Sequence, residues 1–147
     1  FTDMLKYMYD NPTAEKISLE KEMEYIDNYV EFQELRHNGH TKVEWVCCID
    51  NPSCQIPPML LITFVENAFK YGSSSSRDCT ISIKASEHEG RLLFETQNRI
   101  MKQPLESQRG IGLENCRSRL ELLYPERYEL SISENEDIYK VRLLIEL

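Results

Sequence analysis

Apolar residues first repeat at helical spacing. Phe1, Met4, Leu5, Met8 and Tyr9 recur with a helix period, and Asn11-Pro12 closes the run, which reads as the tail of a longer helix. A second helix is predicted from Ser18, an N-cap followed by Glu20 and Glu22 where the helix dipole favours acid. It runs to Arg36-His37 ahead of Asn38-Gly39. Leu19, Met23, Ile26 and Val30 form one stripe on it, and Tyr25, Tyr29 and Phe32 a second. A face that broad has neighbours on two sides. They belong either to the helix's own domain or to a second subunit that the helix meets as the arm of a helical hairpin.

From Lys42 the period changes to two, with Val43, Trp45 and Cys47 alternating against Glu44, Val46 and Cys48 until Asn51-Pro52-Ser53 breaks the strand. Pro57-Pro58 opens a helix to about Tyr71, with Leu61, Phe64, Val65 and Ala68 on one face and Gly72 in the stop position. After the polar Ser73 to Ser76, two strands, 79–86 and 91–97, are joined through Glu89-Gly90 as a hairpin. Residues 98–110 hold no sustained period and contain Pro104, Ser107 and Gly110, the signature of a loop. A helix over 111–124 and strands over 128–134 and 138–147, turning at Asn135-Glu136-Asp137, complete the chain. Paired strands interspersed with helices predict an α/β, two-layer sandwich. Its mixed, mostly antiparallel sheet is covered by helices on one face, with an N-terminal helical arm.

Composition narrows the possibilities. The 147 residues carry 17 Lys and Arg against 25 Asp and Glu, a net charge of −8, and 41% are hydrophobic. That suits one substantial core and argues against nucleic acid, whose binding draws its energy from cationic neutralisation of phosphates. The longest apolar stretch, Met59 to Val65, stops at Glu66, far short of the roughly 20 residues a membrane span needs. The chain opens at Phe1 in what reads as helix and shows no signal-peptide pattern, so it is expected to be a piece of a longer protein. Cys47, Cys48, Cys54, Cys79 and Cys116 make an odd set without CxxC spacing. They are expected to be reduced, mostly buried thiols of a cytosolic protein.

Two constellations carry chemistry. On the helix ending near Tyr71, burial of the apolar face leaves Thr63, Glu66, Asn67 and Lys70 sharing another face at i, i+3, i+4 and i+7. Such a row is commonly a solvated polar face. Here it interrupts a strongly apolar helix, and a carboxamide oxygen beside a carboxylate suits Mg2+, which keeps waters and bridges to phosphates. The second is Arg109-Gly110-Ile111-Gly112-Leu113 at the mouth of a helix. Glycines there let backbone approach an anion that the helix dipole favours, although glycine is also an ordinary N-cap or loop residue.

Together these segments resemble one family. Ile56 to Gly72, reading IPPMLLITFVENAFKYG, followed about forty residues later by Gly110 to Leu120, reading GIGLENCRSRL, looks like the N box and second glycine box of the LytS/YehU-type sensor histidine kinases. The stretch Ser18 to Arg36 is similar to that family's helix between the phosphoacceptor segment and the ATPase domain.

The resemblance implies a Bergerat-type ATP-binding domain over 39–147, preceded over 1–38 by part of a helical dimerisation region. Asn67 would be the Mg2+ ligand, Glu66 the acidic neighbour that orients the reacting group, and Lys70 a phosphate contact. Tyr71 and Asn98 would lie at the nucleotide, Asn98 at the adenine. Gly110, Ile111, Gly112 and Leu113 would shape the phosphate-facing end of an ATP lid over 99–109, with Asn115 and Arg119 near the nucleotide or supporting the lid. The intact protein would be anchored in the inner membrane of a bacterium, with this fragment on the cytoplasmic side and making no membrane contact. It would form a homodimer through the helical arm and pass phosphate from ATP to a histidine upstream of Phe1, then to a response regulator receiver domain. His37, His40 and His88 are expected as surface residues, each outside a phosphoacceptor context.

Two positions depart from the family pattern. Tyr71 is a phenol where histidine is frequent, and Asn98-Arg99-Ile100 stands where the first glycine box usually reads Asp-x-Gly. The second departure supports an alternative: a degenerate domain serving as a dimerisation or regulator-docking module. A hydrolytic ATPase using Glu66 on water is disfavoured by the arm and the short lid.

Overall fold

The computed structural model describes residues 16–101 and 111–147. The first predicted helix, over Phe1 to Tyr9, and most of the predicted lid therefore lie outside the described residues.

A short strand β1 (Ile17–Ser18) leads directly into helix α1 (Leu19–Arg36), capped by the Ser18 hydroxyl, which accepts from Lys21 N. Strand β2 (Thr41–Ile49) follows, then β3 (Gln55–Ile56), α2 (Ile62–Gly72), β4 (Cys79–His88) and β5 (Arg91–Arg99). Helix α3 (Ile111–Leu123) and the hairpin β6 (Tyr128–Asn135) and β7 (Ile138–Glu146) complete the order. Five strands form one sheet in the order β2-β4-β5-β7-β6, with β2 parallel to β4 and the other pairs antiparallel. The expected mixed, mostly antiparallel sheet is therefore present.

Alternation decides which face is covered. Ile81, Ile83 and Ala85 of β4, Leu92 and Phe94 of β5, and Val141, Leu143 and Ile145 of β7 all point inward and are buried. They meet Phe64, Val65 and Ala68 of α2, Leu120 of α3, and Leu19, Met23, Ile26 and Val30 of α1 in one core. The boundary drawn at residue 38 thus falls inside a single hydrophobic core. Helix α1 lies against α2 and β2 rather than standing off as an arm. Its second stripe divides, with Tyr25 and Tyr29 half-buried and Phe32 61% exposed.

Three boundaries differ from the sequence reading. Helix α2 starts at Ile62 because residues 58–61 form a turn in which Met59 takes a φ of +62°, so Pro57-Pro58 precedes the helix rather than opening it. Strand β5 continues through Asn98 and Arg99, expected in a loop, because β7 pairs with both through Tyr139 and Ile138. The two-residue strands β1 and β3 pair antiparallel and fasten the start of α1, where Leu19 N also donates to Cys54 O.

The five thiols are free, as expected, but they are not mostly buried. Cys116 is buried, Cys54 and Cys79 are half-buried, and Cys47 and Cys48 on the edge strand are exposed. Among the described residues no helix is long and apolar enough to cross a membrane.

Candidate functional site

Helix α2 sets the site by its rotation. With Phe64, Val65 and Ala68 fully buried, Thr63, Glu66, Asn67 and Lys70 are left half-buried on the other side. Glu66, Asn67 and Lys70 line a cavity of about 290 Å3, together with Tyr29, Gln33, Arg36 and His37 of α1. Aromatic packing fastens the two walls. Phe69 of α2 meets Tyr29 edge-on with ring centroids 5.6 Å apart and stacks on His37 at 6.3 Å. His37 also donates from Nδ1 to the Gln33 carbonyl at 2.8 Å, so this histidine is buried rather than at the surface.

Electrostatics follows from the partial enclosure. Burial pushes the Glu66 carboxyl above the usual carboxylate range, and the Lys70 ammonium pulls it partly back. Burial likewise raises the Tyr29 phenol, and the charge of Glu66 adds to that rise. The cavity therefore presents a carboxylate, a carboxamide and an ammonium within one helix's length. Two protein oxygens suit a Mg2+ ion that arrives with phosphate and water, since that metal takes one or two protein ligands in such sites. Asn67 is the residue that could hold it, with the Glu66 carboxylate beside it.

One turn further along α2 lies a second group. Gly72 packs directly on Asn98, where a Cβ at Gly72 would come within 2.6 Å of the Asn98 side chain. Tyr71 packs on Tyr139 in a tilted arrangement with centroids 4.7 Å apart. Asn98 is 2% exposed. Its Nδ2 donates to the Arg99 carbonyl at 3.0 Å, while its Oδ1 is buried without a partner among the described residues, as are Thr96 Oγ1 and Tyr139 OH. A buried acceptor left in that state calls for a donor, and an exocyclic amine such as that of adenine would supply one.

The structure joins these two groups through α2 but does not place them in one cavity. A larger cavity of about 520 Å3 takes in Asn98 with Lys42, Thr80, Gln97 and Arg99, and contains none of the Glu66 row.

Helix α3 reaches α2 by close approach. A Cβ at Gly112 would sit 3.3 Å from Thr63 Cγ2, so the absence of a side chain lets the first turn of α3 lie against α2. Leu113 is half-buried against the core, Asn115 lies on the exposed side, and Gly110 and the Ile111 side chain fall outside the described residues. Arg119 does not line the cavity. Its Nη2 donates to the Pro58 carbonyl at 3.2 Å, in the turn that enters α2. The two remaining histidines pair with carboxylates, His40 with Asp78 at 2.9 Å and His88 with Asp50 at 2.6 Å.

The sequence reading missed the contribution of α1, namely Tyr29, Gln33, Arg36 and His37. The second aromatic stripe was the available signal, since it announced a neighbour without saying that polar groups beside it would face a cavity.

Comparison with known proteins agrees with the fold. No family model matches the chain. It is similar to sensor histidine kinase BtsS of Escherichia coli (strain K12), 26% identical over 128 residues, covering 86% of this chain and 23% of that protein. It is also similar to sensor histidine kinase YesM of Bacillus subtilis (strain 168), 30% identical over 127 residues, covering 82% and 22% respectively. The chain thus spans under a quarter of the length of these relatives. Among solved structures, the catalytic domain of histidine kinase ThkA superposes with a TM-score of 0.59 at 16% identity, over 90% of this chain and 95% of that one. ThkA in complex with the response regulator protein TrrA gives 0.55 at 14% identity, over 98% and 46%.

Proposed function

From a chain homologous to the LytS/YehU-type sensor histidine kinases and folded as a histidine kinase catalytic domain, we propose the ATP-binding domain of a two-component sensor kinase. It would transfer the γ-phosphoryl of ATP to a histidine outside the described residues and thence to a response regulator receiver domain. The observation that carries this reading is the half-buried row Glu66, Asn67 and Lys70 facing a common cavity on α2.

Each residue has a role set by its chemistry. Asn67 offers a neutral oxygen to Mg2+, and Glu66, with its raised proton affinity, orients the acceptor group or takes its proton. Lys70 neutralises phosphate charge, and Gly112 admits backbone N–H groups at the start of α3. Mg2+, when bound, would neutralise and orient the β- and γ-phosphates. Asn98 accepts from the adenine 6-amino group through its orphaned Oδ1, which favours ATP over GTP. Catalysis is then chiefly positioning and charge neutralisation.

The degenerate-module alternative is not favoured, because the chain's homologues are kinases and Asn98 keeps a buried acceptor in place of the usual carboxylate. Homodimerisation through the helical region at 1–38 and a location on the cytoplasmic side of an inner-membrane-anchored bacterial protein complete the proposal. Phe32 and Leu35, 61% and 77% exposed on α1, support a partner surface there. His37, His40 and His88, one buried and two paired with carboxylates, support an acceptor elsewhere.

Calorimetry with Mg2+ and ATP tests the site. Asn67→Ala is expected to abolish Mg2+-dependent binding while the melting temperature stays that of the parent, since a metal ligand is lost and no packing. Parental affinity in the variant would overturn the assignment.

A further inference from the structure

The turn entering α2 is held by side chains from both neighbouring helices. Across residues 58–61 the main-chain polar groups are engaged in sequence. Arg119 Nη2 donates to Pro58 O at 3.2 Å and Met59 N donates to Glu22 Oε1 at 2.8 Å. The Cys116 thiol donates to Leu60 O at 3.5 Å, and Leu61 N donates to Glu22 Oε2 at 3.0 Å. Glu22 comes from α1, Cys116 and Arg119 from α3. Leu61 is the N-cap of α2 and has no side-chain cap of its own, so the Glu22 carboxylate stands in for one and meets the positive end of the helix dipole. Met59 at φ +62° is a conformation that a bulky residue keeps only where its surroundings over-determine it.

Glu22 is 0% exposed. An apolar side chain would fill that position without the desolvation cost of a carboxylate, so packing alone does not account for an acid there. What the carboxylate adds is direction, through two N–H groups fixed at once on the turn that leads into the helix carrying Glu66, Asn67 and Lys70. The same turn is gripped from the other side by the helix that begins beside the second glycine box.

We propose that Glu22 is a positioning residue for the N-box site, fixing α2 along its axis against α1 and, across the shared turn, against α3. The proposal rests on the nucleotide site described above. In its ionised form Glu22 serves both N–H groups; protonation leaves one without its acceptor. Burial holds the carboxyl up at about 7, with the Leu61 and Met59 N–H groups and the charge of Arg119 pulling against that rise. The titratable groups facing it are Arg119 and Cys116, both on α3, and burial pushes the Cys116 thiol up to about 12, so it stays protonated throughout. Because the folded value lies above the ordinary 4.5, protonation is favoured by folding: stability rises as pH falls through 7 towards 4.5. Site geometry moves the opposite way, being best when Glu22 is ionised. A carboxylate with a purely structural role would shift stability with pH and leave nucleotide affinity unmoved.

The experiment uses the 147-residue chain, with Mg2+ and ATP affinity and melting temperature measured at pH 8 and pH 6 for the parent, Glu22→Gln and Glu66→Gln. In the parent, affinity is expected to fall about tenfold from pH 8 to pH 6 while the melting temperature rises. Glu22→Gln, which presents an NH2 group to one of the two N–H donors, should bind about tenfold more weakly at pH 8 and show no fall on going to pH 6. Glu66→Gln, which removes the other carboxyl held above its range, should keep the fall, and this arm decides the matter if Glu22→Gln does not fold. Parental affinity in Glu22→Gln at both pH values, or loss of the fall in Glu66→Gln, would overturn the positioning role alone. If the parent binds no nucleotide at either pH, the assignment of the site itself is overturned, and the inference with it.

Discussion

Helices α2 and α3 both carry candidate residues, and they are held in different ways. Seven of the eleven residues of α2 are buried, and it packs against the sheet through β4, β5 and β7. In α3 the buried side chains among those described are Cys116 and Leu120, while Leu122 is 58% exposed. Helix α3 meets α2 along a narrow seam: Gly112 beside Thr63, Cys116 on the Leu60 carbonyl and Arg119 on the Pro58 carbonyl. Helix α2 is thus part of the core, and α3 is attached to it by a few directional contacts. Helix α2 supplies fixed geometry, whereas α3 has little buried apolar surface to resist its displacement.

The largest expected effect on this contrast comes from Phe64→Ala, which removes a fully buried ring from α2 and should cost about 3–5 kcal/mol in thermal denaturation. Leu122→Ala on α3 should change stability by less than about 0.5 kcal/mol. Equal melting of the two variants would erase the distinction.

Gly72→Ala comes next. Its new methyl would lie 2.6 Å from the Asn98 side chain on a strand that cannot retreat, and overpacking of this kind costs about 1–3 kcal/mol. Pairing it with Asn98→Gly should recover part of the loss, a coupling that a double-mutant cycle measures directly. Additive losses would show that Asn98 is not what excludes a side chain at position 72.

The smallest effect is expected from Gly112→Ala. The nearest atom is a Thr63 methyl at 3.3 Å, and the seam can yield by a few tenths of an ångström. Alanine also improves on glycine in a helix by about 1 kcal/mol, so the net change in stability should stay below about 1 kcal/mol in either direction. A loss as large as that of Gly72→Ala would mean that α3 is docked as rigidly as α2.

Much of this arrangement was legible in the sequence, and the exceptions have a common cause. The row on α2 could be read because burying Leu61, Phe64, Val65 and Ala68 leaves little choice of where Glu66, Asn67 and Lys70 go. The hairpins β4–β5 and β6–β7 carried period-two patterns between recognisable turns. Misreadings arose wherever a distant partner decided the local outcome. Asn98 belongs to β5, but Thr96 and Asn98 are polar residues facing inward, and they erase the alternation that marks a strand. Proline at a first helical position is a sound rule, yet at 57–58 it loses to side chains from α1 and α3 that bind the intervening main chain. Tyr29 and Arg36 look like ordinary helix-surface residues until α2 is placed opposite them.

The parallel pairing of β2 with β4 has a consequence for how the chain assembles. Thr41 faces Cys79, whereas His88 faces Arg91 and Asn135 faces Ile138, so two hairpins close over a few residues and one ladder must await a long excursion through α2. Chain entropy opposes the distant pairing until the intervening segment has collapsed, and local hairpins form first. We therefore expect the strands after Cys79 to gain amide protection ahead of β2 in pulse-labelled refolding, and simultaneous protection would contradict that order. During that interval β4 lacks its outer neighbour, and its exposed edge makes the half-assembled sheet the most vulnerable stage for association with another chain.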